Sequence, residues 1–156
     1  MGERMNSLLR SASPLKVSRV LEIVLSGVGA GIAVVNCIVI WQAVSSYQPM
    51  FPLPALYLFE LIAVSVIGWL GIIYGELVAL PFVGFLLWVT VGVSAAFVVL
   101  GAMSVWFFYL PVLLLFVAAG ILYDVRTKRM VVLDLGVGGV AALVQAGIML
   151  AIIQLY

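Results

Sequence analysis

Residues 82–123 form a run of 42 residues without a single charged side chain. A membrane-spanning helix needs about 20 apolar residues, because each residue rises about 1.5 Å along a hydrocarbon core about 30 Å thick. The run is therefore long enough for two spanning helices, and the small residues at 101–104 mark a tight turn between them. The sequence predicts a transmembrane helical hairpin at this place.

Three further apolar runs of spanning length lie at about residues 19–43, 55–75 and 135–155. Together with a hairpin divided into about 82–101 and 105–123, they predict five spans. Composition agrees, since 67% of the residues are hydrophobic and 8% are charged, whereas a soluble domain is about half apolar and roughly a quarter charged. We predict an all-α integral membrane protein, with residues 1–18 as an N-terminal segment and residues 19–156 as a five-helix transmembrane bundle.

Basic residues occur at only two places in the chain. These are the start of the chain, with Arg4, Arg10, Lys16 and Arg19, and the loop between the fourth and fifth spans, with Arg126, Lys128 and Arg129. Five spans put both places on one side of the membrane, and positive residues favour the cytoplasmic side. The pattern predicts a cytoplasmic N-terminus, an outer C-terminus and a basic loop at the inner membrane surface. We expect the plasma membrane of a prokaryotic cell.

The residue types that most catalysis requires are scarce. The chain has no histidine and one cysteine, Cys37, which removes histidine acid–base chemistry, the usual zinc sites and an internal disulfide. No phosphate-binding glycine loop and no nucleophile motif is present. Seven basic residues are too few to follow a nucleic-acid backbone. We expect no catalytic residue, no metal and no cofactor, and the lipid bilayer rather than nucleic acid as a partner.

Small residues spaced four apart occur in several spans, and such pairs let two helix backbones approach closely. The predicted packing residues are Gly27, Gly31, Gly71, Gly92, Ala96, Gly138 and Ala142. They favour packing within the bundle, and contact between copies of the chain is the alternative.

Polar side chains inside a span are costly unless they face protein or water. Glu60 in the second span and Asn36 in the first lie at matching depths, each about 8 Å outside the middle of its span. We predict a hydrogen bond between them, with Gln145 of the fifth span as a third member. The helix face that carries Glu60 also holds small residues and is therefore expected to look inward.

Two other polar stripes are also expected to face inward. The stripe of the first span comprises Glu22, Ser26, Gly29, Ala33, Asn36 and Cys37, and that of the fifth comprises Asp134, Gly138, Ala141 and Gln145. Glu22 follows Arg19 by three residues, a spacing that favours an ion pair on one helix surface.

Two functions remain open, because the loops are too short to house a soluble domain. The first is a non-catalytic accessory subunit of a membrane assembly or homo-oligomer. The alternative is a small proton- or ion-coupled transporter or channel, with Glu60 as its intramembrane carboxyl group. A membrane enzyme is a distant third, since the acidic residues lack basic or nucleophilic partners at comparable depth.

Overall fold

The computed structural model describes residues 2–47, 53–75, 82–100 and 106–155. These residues form five helices and no strand: α1 (Gly2–Ser45), α2 (Leu53–Gly75), α3 (Val83–Leu100), α4 (Trp106–Thr127) and α5 (Val131–Leu155). All five helices are long and apolar enough to cross a membrane. The predicted all-α fold with five helices of membrane-spanning length is confirmed.

Each helix overlaps one predicted span, but α4 continues to Thr127 and α5 begins at Val131, four residues beyond the predicted span ends. The spanning part of α1 is Lys16–Ser45, but the helix begins at Gly2, so residues 2–18 continue it without a break. The apolar run of 42 residues is divided between α3 and α4, as the hairpin prediction requires. The turn itself, predicted at residues 101–104, lies outside the described residues.

Helices α1 to α4 form a ring, and α5 lies outside it. Helix α1 packs against α2 and α4, and α3 completes the ring by packing against the same two helices. Helix α5 packs along α3 and touches α4 over a short stretch only. One buried apolar cluster, around Trp88 and Phe116, fills one end of the bundle, and a second, around Leu61 and Phe97, fills the other.

The connection between α4 and α5 is short and has a defined conformation. Lys128 adopts a left-handed backbone conformation with φ 57°, and the amide of Arg129 donates to the carbonyl of Asp124 at 2.9 Å. This is the hydrogen bond of a Schellman helix end, which reverses the chain abruptly. Helix α5 therefore starts beside the end of α4, and Asp134 returns toward Asp124.

The small residues of α3 and α5 contact each other. A Cβ atom on Gly92 would overlap the carbonyl oxygen of Gly138 and lie 2.9 Å from the amide nitrogen of Ala142. Gly27 likewise leaves room for the Trp69 side chain, because Trp69 Nε1 lies 2.8 Å from the position that a Cβ atom on Gly27 would occupy. Gly71 has only ordinary contacts, and Gly31 faces open space.

Candidate functional site

Charged side chains are buried at one end of the bundle, where α1 enters its span, α3 and α5 begin and α4 ends. Glu22 and Asp124 are both 0% exposed. We define the charged cluster as Ser18, Glu22, Trp88, Asp124, Arg126, Arg129 and Asp134. Buried charges are expensive unless they are paired and hydrogen-bonded, so the partners of these two carboxylates decide what the cluster does.

Glu22 of α1 is paired with Arg126 of α4. Arg126 Nε lies 2.8 Å from Glu22 Oε1 and Nη2 lies 2.9 Å from Oε2, so the guanidinium group binds both carboxylate oxygens. Ser18 Oγ donates to Oε1 at 3.2 Å, and the guanidinium carbon of Arg126 lies 5.5 Å from the Tyr123 ring centroid. Bidentate pairs of this kind are the strongest and most directional ion pairs in proteins.

The position of this pair follows from the helices that carry it. Glu22 lies on the predicted stripe of α1, whose residues Ser26, Gly29, Ala33 and Cys37 are buried and whose Asn36 is half-buried. Arg126 occupies the last turn of α4, where a cation also interacts favourably with the helix dipole. Because α1 packs along α4, the two side chains meet between them.

Asp124 makes a different set of contacts. Trp88 Nε1 of α3 donates to Asp124 Oδ2 at 2.8 Å, while Oδ1 has no hydrogen-bond partner among the described residues. Asp134 of α5 and Arg129 both interact electrostatically with Asp124. Asp124 is thus the point at which α3, α4 and α5 meet through polar groups.

The three residues of the predicted polar cluster are not joined by any hydrogen bond among the described residues. Asn36 Nδ2 donates to the carbonyl oxygen of Phe108 on α4. Glu60 is half-buried, and Gln145 is 5% exposed with no described partner for its Nε2. At this level α2 reaches α5 through Tyr57, whose hydroxyl donates to the carbonyl of Met149 at 3.4 Å.

The face of α2 that carries Glu60 is only partly covered by neighbouring helices. Ala63 and Tyr74, which share the face of Glu60, are exposed. The buried residues of α2 are Ala55, Leu58, Leu61, Ser65, Gly68, Ile72 and Gly75. A small residue marks close packing only when a neighbouring helix is present, and the sequence does not state where the neighbours lie.

The basic loop is divided in the structure. Arg126 is engaged with Glu22 and its side chain is 14% exposed, whereas Lys128 and Arg129 are exposed. The sequence missed the Glu22–Arg126 and Trp88–Asp124 contacts because each charge lies near a span end, where water normally solvates it. The sequence did hold one indication of the Glu22–Arg126 pair, because an acid and a base lie at the same end of two predicted spans.

Two apolar grooves lie on the outer surface of the bundle. One, of about 280 Å³, lies between α1 and α2 and is lined by Cys37, Trp41, Gln42 and Phe59 among others. The other, of about 460 Å³, lies between α3 and α5 and is lined by residues such as Phe85, Val140 and Val144. Neither groove is lined by a charged residue, and the described residues contain no group of three side chains suited to hold a metal ion.

Comparison with family models, with curated proteins and with solved structures found no match to this chain. In the charged cluster, the Glu22–Arg126 pair has both carboxylate oxygens bound and opens to neither groove, which is the arrangement of a structural clamp between helices.

Proposed function

We propose that this chain is a non-catalytic subunit of a membrane assembly and binds its neighbour, a partner subunit or a second copy, through the outward face of α5. The observation that carries the proposal is the position of α5. This helix packs along α3 outside the four-helix ring, and its opposite face is exposed along the whole span. Gly136, Gly139 and Gly147 lie on that face with no neighbouring atom within 4 Å of their Cβ positions.

Outward glycines contribute nothing to the packing of this chain. A glycine in a helix interior destabilises it by roughly 0.5–1 kcal/mol relative to alanine. Gly136, Gly139, Leu143 and Gly147 follow one another at spacings of three or four residues, so they share one helix face. The same chemistry brings α3 and α5 together at Gly92 and Gly138. A second helix can therefore approach α5 closely on its free side.

The inferred orientation keeps the N-terminus and the charged cluster on the cytoplasmic side of a prokaryotic plasma membrane. The distribution of basic residues supports this orientation. Lys16, Lys128 and Arg129 are exposed at the end of the bundle that holds the cluster, where anionic headgroups would meet them. The outward face of α5 then runs through the whole hydrocarbon core.

Purification in a mild detergent tests the proposal. We expect the wild-type chain to elute as a discrete complex, and the Gly139→Leu/Gly147→Leu variant to elute as a folded monomer, because two large side chains prevent close approach. The matched control is Gly31→Leu, which fills equally open space on α1 and should leave the complex intact. A wild-type chain that elutes alone, or a complex that survives both substitutions in α5, would contradict the proposal.

A second candidate function depends on Glu60. This carboxyl group is half-buried within a candidate span, and carboxyl groups inside a membrane often mark ion or proton pathways. Glu60→Gln keeps the capacity for hydrogen bonding but removes titration. Transport in proteoliposomes that kept its pH dependence in Glu60→Gln would eliminate this candidate.

A further inference from the structure

The connection between α4 and α5 presents two adjacent cations in a fixed conformation. Lys128 and Arg129 are both exposed. Lys128 has a left-handed backbone conformation with φ 57°, and the amide of Arg129 donates to the carbonyl of Asp124 at 2.9 Å. A side chain in that conformation costs free energy that glycine would not. A lysine that breaks this local preference is expected where the side chain itself has a role.

The acids at this end of the bundle are not exposed at its surface. Glu22 and Asp124 are both 0% exposed, and Arg126 binds both oxygens of Glu22. Asp134 is half-buried, and no acidic side chain is exposed among the residues whose exposure the structure describes. Lys16, where the spanning part of α1 begins, is exposed as well. The surface at this end therefore presents cations, and its electrostatic complement is an anion.

Exposed apolar side chains lie beside the two cations in the sequence. These side chains are Val125, Met130, Val132 and Leu133. The connection joins two candidate spans, Phe108–Thr127 and Val131–Gln154, so in a membrane it lies where the hydrocarbon core meets the headgroups. A soluble anion offers no apolar surface to such side chains, whereas a phospholipid carries its anionic phosphate and its acyl chains in one molecule. The surface therefore favours an anionic lipid over a soluble anion.

We propose that the α4–α5 connection is a binding site for the headgroup of an anionic phospholipid in the adjoining leaflet, with Lys128 and Arg129 as its cations. Arg129 Nη1 lies 2.7 Å from the position that a Cβ atom on Gly84 would occupy. A headgroup that binds both cations therefore bridges the connection and the start of α3. The proposal does not depend on what α5 binds, because the docking face is centred on Gly139 and Gly147, further along that helix.

Thermal unfolding in mixed micelles tests the site, with phosphatidylglycerol as the anionic lipid and phosphatidylcholine as the zwitterionic one. The buried Cys37 thiol reports unfolding through a thiol-reactive dye. A ligand that binds only the folded state raises the melting temperature. We expect phosphatidylglycerol to raise the melting temperature of the wild-type chain more than phosphatidylcholine does, and inorganic phosphate at the same concentration to leave it unchanged. An equal rise with both lipids, or with inorganic phosphate, would overturn the proposal.

Two double variants separate this site from the net charge of the chain. In Lys128→Gln/Arg129→Gln, the difference between the two lipids should fall to less than half of its wild-type value. The matched control Arg4→Gln/Arg10→Gln removes two charges from the segment before the first span and should keep the full difference. A lipid effect that both double variants lose equally, or that both keep, would show that the connection is not the site.

Lys128→Gly separates lipid binding from the stability of the fold, and it keeps the proposal testable if the double variant does not fold. Because glycine adopts the left-handed conformation readily, we expect this variant to melt at a higher temperature than the wild type in neutral detergent. It should nevertheless gain less from phosphatidylglycerol. A gain as large as that of the wild type would contradict a role for the Lys128 charge. A failure of the α5 docking experiment would leave these results unaffected.

Discussion

The bidentate pair of Glu22 and Arg126 joins α1 to α4 within the charged cluster. Replacing Glu22 with Gln leaves the guanidinium group without its counter-charge. Removing one partner of a buried ion pair costs about 3–5 kcal/mol, and we expect about 3 kcal/mol here because Arg126 keeps some access to the surface. Reversible unfolding of the purified protein in mixed micelles measures this loss.

The control for this prediction is Lys128→Gln, which removes an exposed charge from the neighbouring connection and should change stability by less than about 0.5 kcal/mol. The double variant Glu22→Gln/Arg126→Gln should recover part of the loss, since no buried charge is then left unpaired. A Glu22→Gln variant as stable as Lys128→Gln would show that the pair is not a clamp.

The two tryptophans nearest the middle of the chain provide a second comparison. Trp88 Nε1 donates to Asp124, whereas Trp69 Nε1 is buried without a hydrogen-bond partner among the described residues. We expect Trp88→Phe to destabilise the fold by about 1–3 kcal/mol, because it leaves a buried carboxylate oxygen unsatisfied. Trp69→Phe is the matched control and should cost less, as it removes an unpaired polar atom. Equal losses in thermal unfolding would rule out a role for the Trp88–Asp124 bond.

The sequence predicts which residues of α1 face inward, but not which residues they contact. The inward stripe of α1 was predictable, because polar and small residues recur with the helical period. The partners of Glu22, Asn36 and Asp124 were not, because depth along a span does not say which helix lies opposite. Asn36 was matched to Glu60 by depth, but its amide donates to α4.

At the scale of elements, the tightest contact is the crossing of α3 and α5. A Cβ atom at Gly92 would overlap backbone atoms of α5, which cannot move aside as a flexible side chain can. We expect Gly92→Ala to destabilise the protein by about 1–3 kcal/mol through overpacking. Gly31→Ala adds the same methyl group in open space and should stabilise α1 by up to about 1 kcal/mol. Thermal unfolding of both variants measures these changes. A Gly92→Ala variant as stable as the wild type would contradict the close contact between α3 and α5.

The number of helices was predictable because lipid requires about 20 apolar residues for each span. Which helices pack against each other was not predictable. Chain order suggests that α5 packs on α4, yet it packs mainly on α3, since Gly92 and Gly138 permit a closer approach there. The continuation of α1 to Gly2 also escaped prediction, because apolar content marks only the part of a helix that lies in lipid.

For the whole molecule, the proposed five-span topology puts the α1–α2 and α4–α5 connections on opposite sides of the membrane. Ser46 and Lys128 are exposed in these two connections. In a Cys37→Ser background, we expect an impermeant maleimide to label Ser46→Cys in intact cells. Lys128→Cys should react only after permeabilisation, because the proposed orientation puts its loop on the cytoplasmic side. Labelling of both positions from the same side would contradict the five-span topology.

Site-specific photo-crosslinking in native membranes tests most directly whether the outward face of α5 binds another protein. A photoreactive residue at Leu143, which is 76% exposed on that face, is compared with one at Leu114, which is 58% exposed on α4. We predict a single protein adduct of discrete mass from Leu143, abolished by Gly139→Leu/Gly147→Leu, and lipid adducts alone from Leu114. Lipid adducts alone from both positions would show that α5 faces only the bilayer and would contradict the proposed subunit function.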